Sequence, residues 1–587
     1  MNLKFFLIAA ALSGAAFAYE PLARPAYLTS SFGENRGTRY HAGVDFSTDM
    51  QEGFPILAPE DGTVEEVRVS PYSYGKVLYF KGESGRTWVF AHQSGFNRAI
   101  EAAIRERQTA KKSNDLKLVT NMAAKKGDTL SYSGSTGIGN PHLHLELREG
   151  SFKLLSPCTN GVACSDTLAP QIVAFAAWTD DEVKFTSTKA LEAGCAERPE
   201  GAFHAAVKIA DYSRTPLENP MSIRWLEVKG AGVKFSKLQD TLSYNDMLKI
   251  RTELLWAEEA DTAGDWHVIG AKIGASEPEL EITAEDYSGN KTVRKVALKN
   301  SCAGNEKFPL VKVQDSLLFT YLSRPFINAK AAKGALTLKD SAGKILAQDL
   351  RESEPELFPL SRIARKFPKA SLIETAGEEI HFTTLRQSHS NDFKVKGEFS
   401  LVLMDLESAS WKQTLAYRKR HTDSLDYMEF HPKGLHFTGN FEVCIEGSPE
   451  VPLYYLGETT RRWFYFSKQT KSRKRRCVQM KEIRDLAAIV DTIPPKLGAP
   501  YLATAKIVGA DAPVVRIPVV EPYAGLKNGN AINAFNAEGE WLYAEFDSEP
   551  SEIVIEASLL KGGKTFRIDI EDELKNKASY TLELPQQ

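Results

Sequence analysis

The chemistry of this chain gathers first in Pro141-His142-Leu143-His144-Leu145-Glu146-Leu147, where polar and apolar residues alternate in strict period two. That pattern predicts a β-strand with its leucines in a core and His142, His144 and Glu146 on the opposite face. Two imidazoles two residues apart on a strand can meet one ion or one substrate, whereas on a helix they would point apart. Upstream, Tyr40-His41-Ala42-Gly43-Val44-Asp45 offers a further nitrogen and a carboxylate oxygen. His41 and Asp45 with one of the two strand histidines would make three ligands for Zn²⁺ and leave a fourth position open, the arrangement of a catalytic rather than a structural site. His92 closes the apolar run Val89-Phe90-Ala91 and can reach the same cleft.

The elements that must position these groups read as short strands parted by turns: Thr63 to Val69, Lys76 to Phe80, Thr87 to Ala91, Thr129 to Ser133 and His142 to Arg148. Asp61-Gly62 and Glu83-Ser84-Gly85 supply the turns, so an antiparallel sheet is expected. The glycines of Gly134-Ser135-Thr136-Gly137-Ile138-Gly139 lack the following helix and lysine of a phosphate cradle. They read as a tight loop that lets backbone approach substrate. An insertion over about residues 95–122 carries helix-forming residues from Phe96 to Gln108, with Phe96, Ile100 and Ile104 at i, i+4 spacing, and a polar stretch with Lys111-Lys112 after them. It would serve either as a lid or wall of a substrate groove or as a surface helix packed on the sheet.

In order and spacing, His41 with Asp45, His92 in Ala91-His92-Gln93-Ser94, and Ser133-Gly134-Ser135-Thr136-Gly137 running into His142-Leu143-His144-Leu145-Glu146 resemble the lysostaphin and LytM type of zinc metallopeptidase. The turns at Asp61-Gly62-Thr63-Val64 and Lys126-Gly127-Asp128-Thr129-Leu130 also look like that family's, and the resemblance covers about residues 27–150. It implies a small antiparallel β scaffold, His41, Asp45 and His144 as zinc ligands, and His92 and His142 as the catalytic pair. The implied reaction is hydrolysis of the peptide crosslinks of peptidoglycan, with the peptide stems as substrate. There is no His-Glu-x-x-His helix, so Glu146 is assigned to supporting the strand or a ligand histidine from behind. Two other readings stand beside this one: an inactive LytM-like regulator that activates a cell-wall amidase, and an envelope protein whose long β-rich arm is its main business.

Length and composition set the frame. A chain of 587 residues suggests several domains, 42% hydrophobic residues supply packed cores, and a net charge of −3 gives no electrostatic reason to bind nucleic acid. Residues 1–18 read as a secretory signal peptide: Lys4, an apolar stretch from Phe5 to Ala16, then Ala16-Phe17-Ala18 ahead of Tyr19. The stretch is shorter than the roughly 20 apolar residues of a spanning helix, and no comparable run follows. The chain is therefore expected in the periplasm or cell envelope, or secreted, with no transmembrane segment in its mature form. Six cysteines, none in the histidine cluster, fit an oxidising compartment. Proximity favours Cys158 with Cys164, Cys195 with Cys302, and Cys444 with Cys477.

The expected fold is all-β throughout: a metallopeptidase domain at 19–165, a β-sandwich at 166–302, one or two β-rich domains at 303–490 and a second sandwich at 491–587. The linker Asp166-Thr167-Leu168-Ala169-Pro170 looks like a boundary after which the catalytic domain folds alone, and Asp491-Thr492-Ile493-Pro494-Pro495 looks like its copy. Each copy is followed by a strand, at Val207 to Asp211 and at Val515 to Val519. Each closes alike, at Asp286-Tyr287-Ser288-Gly289-Asn290 and at Asp572-Glu573-Leu574-Lys575-Asn576, where the asparagine can take the turn into a last strand. The pattern resembles bacterial immunoglobulin-like modules, which implies an arm that serves targeting, regulation or binding to envelope proteins. Two other clusters, His421 with Asp423, Asp426, His431 and His436, and the basic run Lys471 to Arg476, read as solvated loops and strand edges.

Overall fold

The computed structural model describes residues 18–584 except 26, 38, 165, 214–218, 248, 257–263, 275–278, 306–315, 385–390, 395–398, 404–413, 423–424, 435, 447–448 and 458–460. The signal-peptide assignment thus lies almost wholly outside the described residues, as does Asp423. Among the described residues, no helix is long and apolar enough to cross a membrane.

The N-terminal region is built from β1 (Leu28–Ser30), β2 (Val44–Ser47), β3 (Pro55–Leu57), β4 (Gly62–Val69), β5 (Val77–Gly82), β6 (Thr87–Ala91), β7 (Gly95–Phe96), α1 (Arg98–Lys111), β8 (Leu116–Ala124), β9 (Thr129–Tyr132), β10 (His142–Glu149) and β11 (Lys153–Leu155). The main sheet runs β1-β2-β10-β6-β5-β4-β8, with β11 on β10, and a small sheet β3-β9-β7 lies beside it. Its strand pairs are antiparallel. The five strands read from sequence are present to within a residue or two. Leu143, Leu145 and Leu147 are fully buried, so the alternation of β10 does put one face in the core.

The helix read at Phe96 to Gln108 is present as Arg98–Lys111, capped by the Asn97 side chain accepting from Ile100 N. Ile100 and Ile104 anchor it in the domain core, as their spacing requires. The chain then reverses into β8, which adds to the free edge of β4. Its alternating burial is a strand's.

Nor does the core close at residue 165. The strand Thr241–Ser243 pairs with β11, and Leu242, Met247, Ile250 and Leu254 belong to the same apolar cluster as Phe46, Phe90 and Leu145. These residues come from a long excursion of the next module. That module is a two-layer sandwich whose sheets are Val183–Ser187, Gln171–Trp178, Phe203–Tyr212, Asp265–Ile273, Leu254–Leu255 and Cys195–Glu197, Lys291–Lys299, Glu279–Glu285, Trp225–Gly230, Val233–Leu238. One core lies between them.

Residues 337–488 contribute a nine-stranded sheet, with apolar clusters near both ends, and a separate five-stranded sheet of Asn391–Lys394, Phe399–Leu403, His436–Glu446, Arg475–Glu482 and Gln469–Lys471. The last module is again two sheets around one core. It docks on the N-terminal domain. Buried Asn114 donates to Gly529 O (2.9 Å) and Ile532 O (2.8 Å) and accepts from Ala544 N (3.0 Å). Tyr72 donates to Leu526 O, Lys76 pairs with Glu545 at 2.7 Å, and the Arg105 guanidinium lies 3.9 Å from the centre of the Tyr543 ring. The helix is therefore a bracket between sheet and last module rather than a lid.

All three disulfides favoured by proximity are present, at Cys158–Cys164, Cys195–Cys302 and Cys444–Cys477.

Candidate metal centre and active site

Strand pairing assembles the site. On β2 and β10, Asp45 lies opposite His144, and Ala91 at the end of β6 flanks His144 on the other side. His41 arrives from the loop before β2, and His92 from the residue after β6. Gly43 is required here, because a Cβ on it would stand 2.2 Å from Leu145 O.

Three donor atoms converge. His41 Nε2 and His144 Nδ1 are 3.0 Å apart, and Asp45 Oδ1 lies 2.8 Å from His144 Nδ1 and 3.3 Å from His41 Nε2. All three residues are buried. Each imidazole is oriented from behind. His41 Nδ1 faces Ser31 O at 2.8 Å, and a carbonyl can only accept, so Nδ1 carries the proton and Nε2 turns its lone pair inward. His144 Nε2 faces the fully buried Glu146 at 3.1 Å, and Glu146 also takes a hydrogen bond from Tyr74 and one from Arg148 Nε at 2.7 Å. Arg36 holds the outer oxygen of Asp45 at 2.7 Å.

Two inward nitrogens this close repel unless a proton or a cation lies between them. Tetrahedral zinc at about 2.1 Å from each ligand would separate donor atoms by about 3.4 Å, close to the spacing observed. The residues present therefore fit a three-ligand zinc site. The charges follow from the packing. Burial alone would raise the Asp45 pKa, but the facing imidazoles of His41 and His144 hold it well below its usual range. Burial opposes charge on His144, yet bonds to Asp45 and Glu146 bring its pKa up to about 9.

His92 and His142 flank this cluster, their rings 4.6 Å apart. His92 Nδ1 faces Thr136 O at 2.9 Å and His142 Nδ1 faces Asn140 O at 2.6 Å. Both rings are thus fixed with Nδ1 protonated and Nε2 available; His142 Nε2 lies 3.8 Å from Asp45 Oδ1. Burial and then the neighbouring His142 and His144 push the His92 pKa down to about 3, so this ring is a neutral base across the physiological range. His92 also adopts φ 61°, a conformation that costs a non-glycine residue energy and that recurs at functional sites.

The five residues expected at the site thus come together, and Glu146 stands behind His144. Sequence reading missed Arg36 and Tyr74, which sit in turns with no period to mark them; only the carboxylates they serve would have pointed to them. The glycine loop packs closely within the domain. A Cβ on Gly134 would meet Ser94 N at 2.3 Å and one on Gly137 would meet Ser73 O at 2.4 Å. Gly139 lies beside the site, where a Cβ would stand 3.3 Å from His142 Cε1.

The other two clusters do not gather. His421 pairs with exposed Asp426 at 2.7 Å, while His431 is buried against Thr320 at the opposite end of the same hairpin. His436 carries no described side chain. Lys471 to Arg475 is an exposed turn.

Comparison with known proteins agrees with this geometry. Residues 39–157 match the model of peptidase family M23. An uncharacterized metalloprotease of Haemophilus influenzae is 38% identical over 141 residues, 23% of this chain and 25% of that protein; the chain thus spans about a quarter of that relative's length. Among solved structures, a mutant of the catalytic domain of the prophage-encoded M23 protein EnpA from Enterococcus faecalis is 23% identical, covering 24% of this chain and 90% of that one with a TM-score of 0.18. The catalytic domain of lysostaphin from Staphylococcus simulans is 25% identical, covering 23% and 89%, with a TM-score of 0.17. The N-terminal part of the chain is a LytM-type peptidase domain.

Proposed function

We propose that this protein is an exported, zinc-dependent endopeptidase that cuts peptide crosslinks of peptidoglycan. The observation that carries the proposal is the convergence of His41 Nε2, His144 Nδ1 and Asp45 Oδ1 beside two imidazoles whose Nε2 atoms are free. Bound zinc would polarise the scissile carbonyl and lower the pKa of water at the open position. His92 and His142, held by Thr136 O and Asn140 O, would take a proton at Nε2 and return it to the leaving amine, and would donate to oxygen as negative charge develops there. Glu146, fixed by Tyr74 and Arg148, would keep the proton on His144 Nε2 and so leave Nδ1 as the ligand atom. Export is supported by the three disulfides and by the apolar leader.

The reading of an inactive amidase activator is disfavoured because neither ligands nor catalytic pair are missing. The test is zinc content measured beside turnover of crosslinked muropeptides. His41→Ala and Asp45→Ala are expected to lose metal and activity together. His92→Ala and His142→Ala should keep about one zinc per chain and lose roughly a hundredfold or more in rate. Full zinc occupancy in the first pair would overturn the ligand assignment. Wild-type activity in the second would overturn the mechanism.

A further inference from the structure

Outside the peptidase site, two pockets repeat one another residue for residue. In the first sandwich, Asp211, Asp286 and Asp166 each present a carboxylate oxygen within 4.8 Å of the others; in the last module Glu521, Asp572 and Asp491 do the same. The positions correspond. Asp166 lies five residues before the strand Gln171–Trp178, and Asp491 five before Lys496–Leu497. Gln171 pairs with Ala210, the residue before Asp211, and Lys496 pairs with Val520, the residue before Glu521. Asp286 and Asp572 each follow the last residue of a strand, Glu279–Glu285 and Thr565–Glu571.

The same asparagine clamp closes both. Asn290 donates from its backbone to Asp286 Oδ1 (2.9 Å) and from its amide to Asp286 Oδ2 (2.8 Å) and Asp166 O (3.2 Å). Asn576 repeats all three contacts, to Asp572 Oδ1 (2.9 Å), Asp572 Oδ2 (2.7 Å) and Asp491 O (3.4 Å).

What the clamps leave over points to a ligand. Asp211 is only 3% exposed, and its Oδ1 has no hydrogen-bond partner among the described residues. At the matching position the buried Oε2 of Glu521 is likewise without one. The charged neighbours acting on Asp211 are Asp286 and Asp166, and the like-charged neighbours Asp491 and Asp572 act on Glu521. Burial, then these charges, push the Asp211 pKa up to about 8. Buried carboxylates must be paired, protonated or bound to metal, and among the described residues the charged neighbours acting on Asp211 are both acidic.

We propose that the Asp166–Asp211–Asp286 pocket binds a calcium ion and that Asp491–Glu521–Asp572 is a second copy of that site. All donors are oxygens, with neither histidine nor thiolate, which selects a hard cation; calcium accepts irregular sets of six to eight oxygens, so backbone carbonyls and water can complete the shell. Magnesium demands a near-octahedral shell and gives up water reluctantly, which suits buried, preset carboxylates poorly. Each site ties a module to the peptide that leads into it, so calcium would fix the junctions at 166–170 and 491–495.

The experiment uses the full-length protein, stripped of divalent ions, reloaded with zinc and dialysed against calcium from micromolar to millimolar concentration. The expected result is about two bound calcium ions per chain, about one in Asp211→Asn, one in Glu521→Gln and none in the double variant. Calcium should also raise the melting midpoint of the wild type by a few degrees and leave that of the double variant unchanged. One ion per chain, lost in Asp211→Asn, would support the first site and overturn its repeat. No bound calcium at millimolar concentration, or equal loading of the double variant, would overturn both and leave a shared proton as the device that neutralises the pockets. Should a variant fail to fold, the wild-type stoichiometry and its melting shift still decide the question.

Discussion

The first and last sandwiches share linker, clamp and carboxylate pocket, yet they hold the catalytic domain in opposite ways. The first contributes to its core, lending Leu242, Met247, Ile250 and Leu254 to the cluster that contains the strands of the site. The last meets it across a mainly polar surface of asparagine bonds, one ion pair and a stacked arginine. Two copies of one module can thus be, respectively, part of a fold and a partner of it. What decides is whether the contact is made by apolar side chains inside a core or by polar groups that water would satisfy equally well.

Cutting the chain after each attachment separates the two roles most sharply. A fragment ending at residue 165 loses four buried apolar side chains, at about 1.5–3 kcal/mol each, or roughly 6–12 kcal/mol in all. That is on the order of a domain's whole stability, roughly 5–15 kcal/mol, so the fragment is expected to show no cooperative melting transition. A chain ending at residue 490 should melt cooperatively and bind zinc. A cooperative transition in the shorter fragment would show that the sequence boundary at Asp166 is the physical one after all.

A smaller effect is expected from Asn114→Ala, which removes three hydrogen bonds across the docking surface and takes the side-chain acceptor from Ala544 N. At about 1–3 kcal/mol for an orphaned buried amide, docking should weaken by about that amount while the N-terminal core keeps its own transition. Limited proteolysis would read this as earlier release of the last module. Unchanged proteolysis would move the burden of docking onto Arg105 and Lys76.

The mildest test is pH. Burial at the docking surface pushes Asp115, whose Oδ1 accepts from Gly529 N at 3.0 Å, up to about 6 from an ordinary value near 3.8. A carboxyl raised on docking binds a proton in the docked state. Docking is therefore strongest below the ordinary value and weakens as pH rises through about 6. Asp115→Asn should flatten that dependence between pH 4 and 7; a profile that survives the substitution would assign it elsewhere, with Asp547, also raised to about 6, the first alternative.

Legibility in the sequence followed the range of the interaction. His142, His144 and Glu146 announce themselves because a strand has period two, and His41 to Asp45 because ligands crowd a short segment. The paired linkers and the Asp-to-Asn turns were readable for the same reason. Arg36 and Tyr74 were not, since their meaning depends on a carboxylate brought up by strand pairing. Strand β8 went unread, because its nine-residue alternation lies in the polar stretch behind a strong helical run and shows its face only against β4. Asp211 and Glu521 are different residue types that only the strand ends align. The docking of the last module joins residues more than four hundred positions apart, and no local pattern can carry that.

The same docking changes what a broken backbone means for this protein. The N-terminal domain touches the last module, and the first sandwich touches the middle region beyond Lys333, where Ser361 Oγ donates to Asp180 O (3.2 Å) and Arg362 to Asp181 O (3.3 Å). None of the three disulfides crosses the interval between Cys302 and Cys444. A single cut at exposed Lys333 would therefore yield two polypeptides on a denaturing gel and one particle in solution, its halves clasped at two separate places. A clipped preparation would still be the whole machine, and the two halves made separately become a natural pair for reassembly.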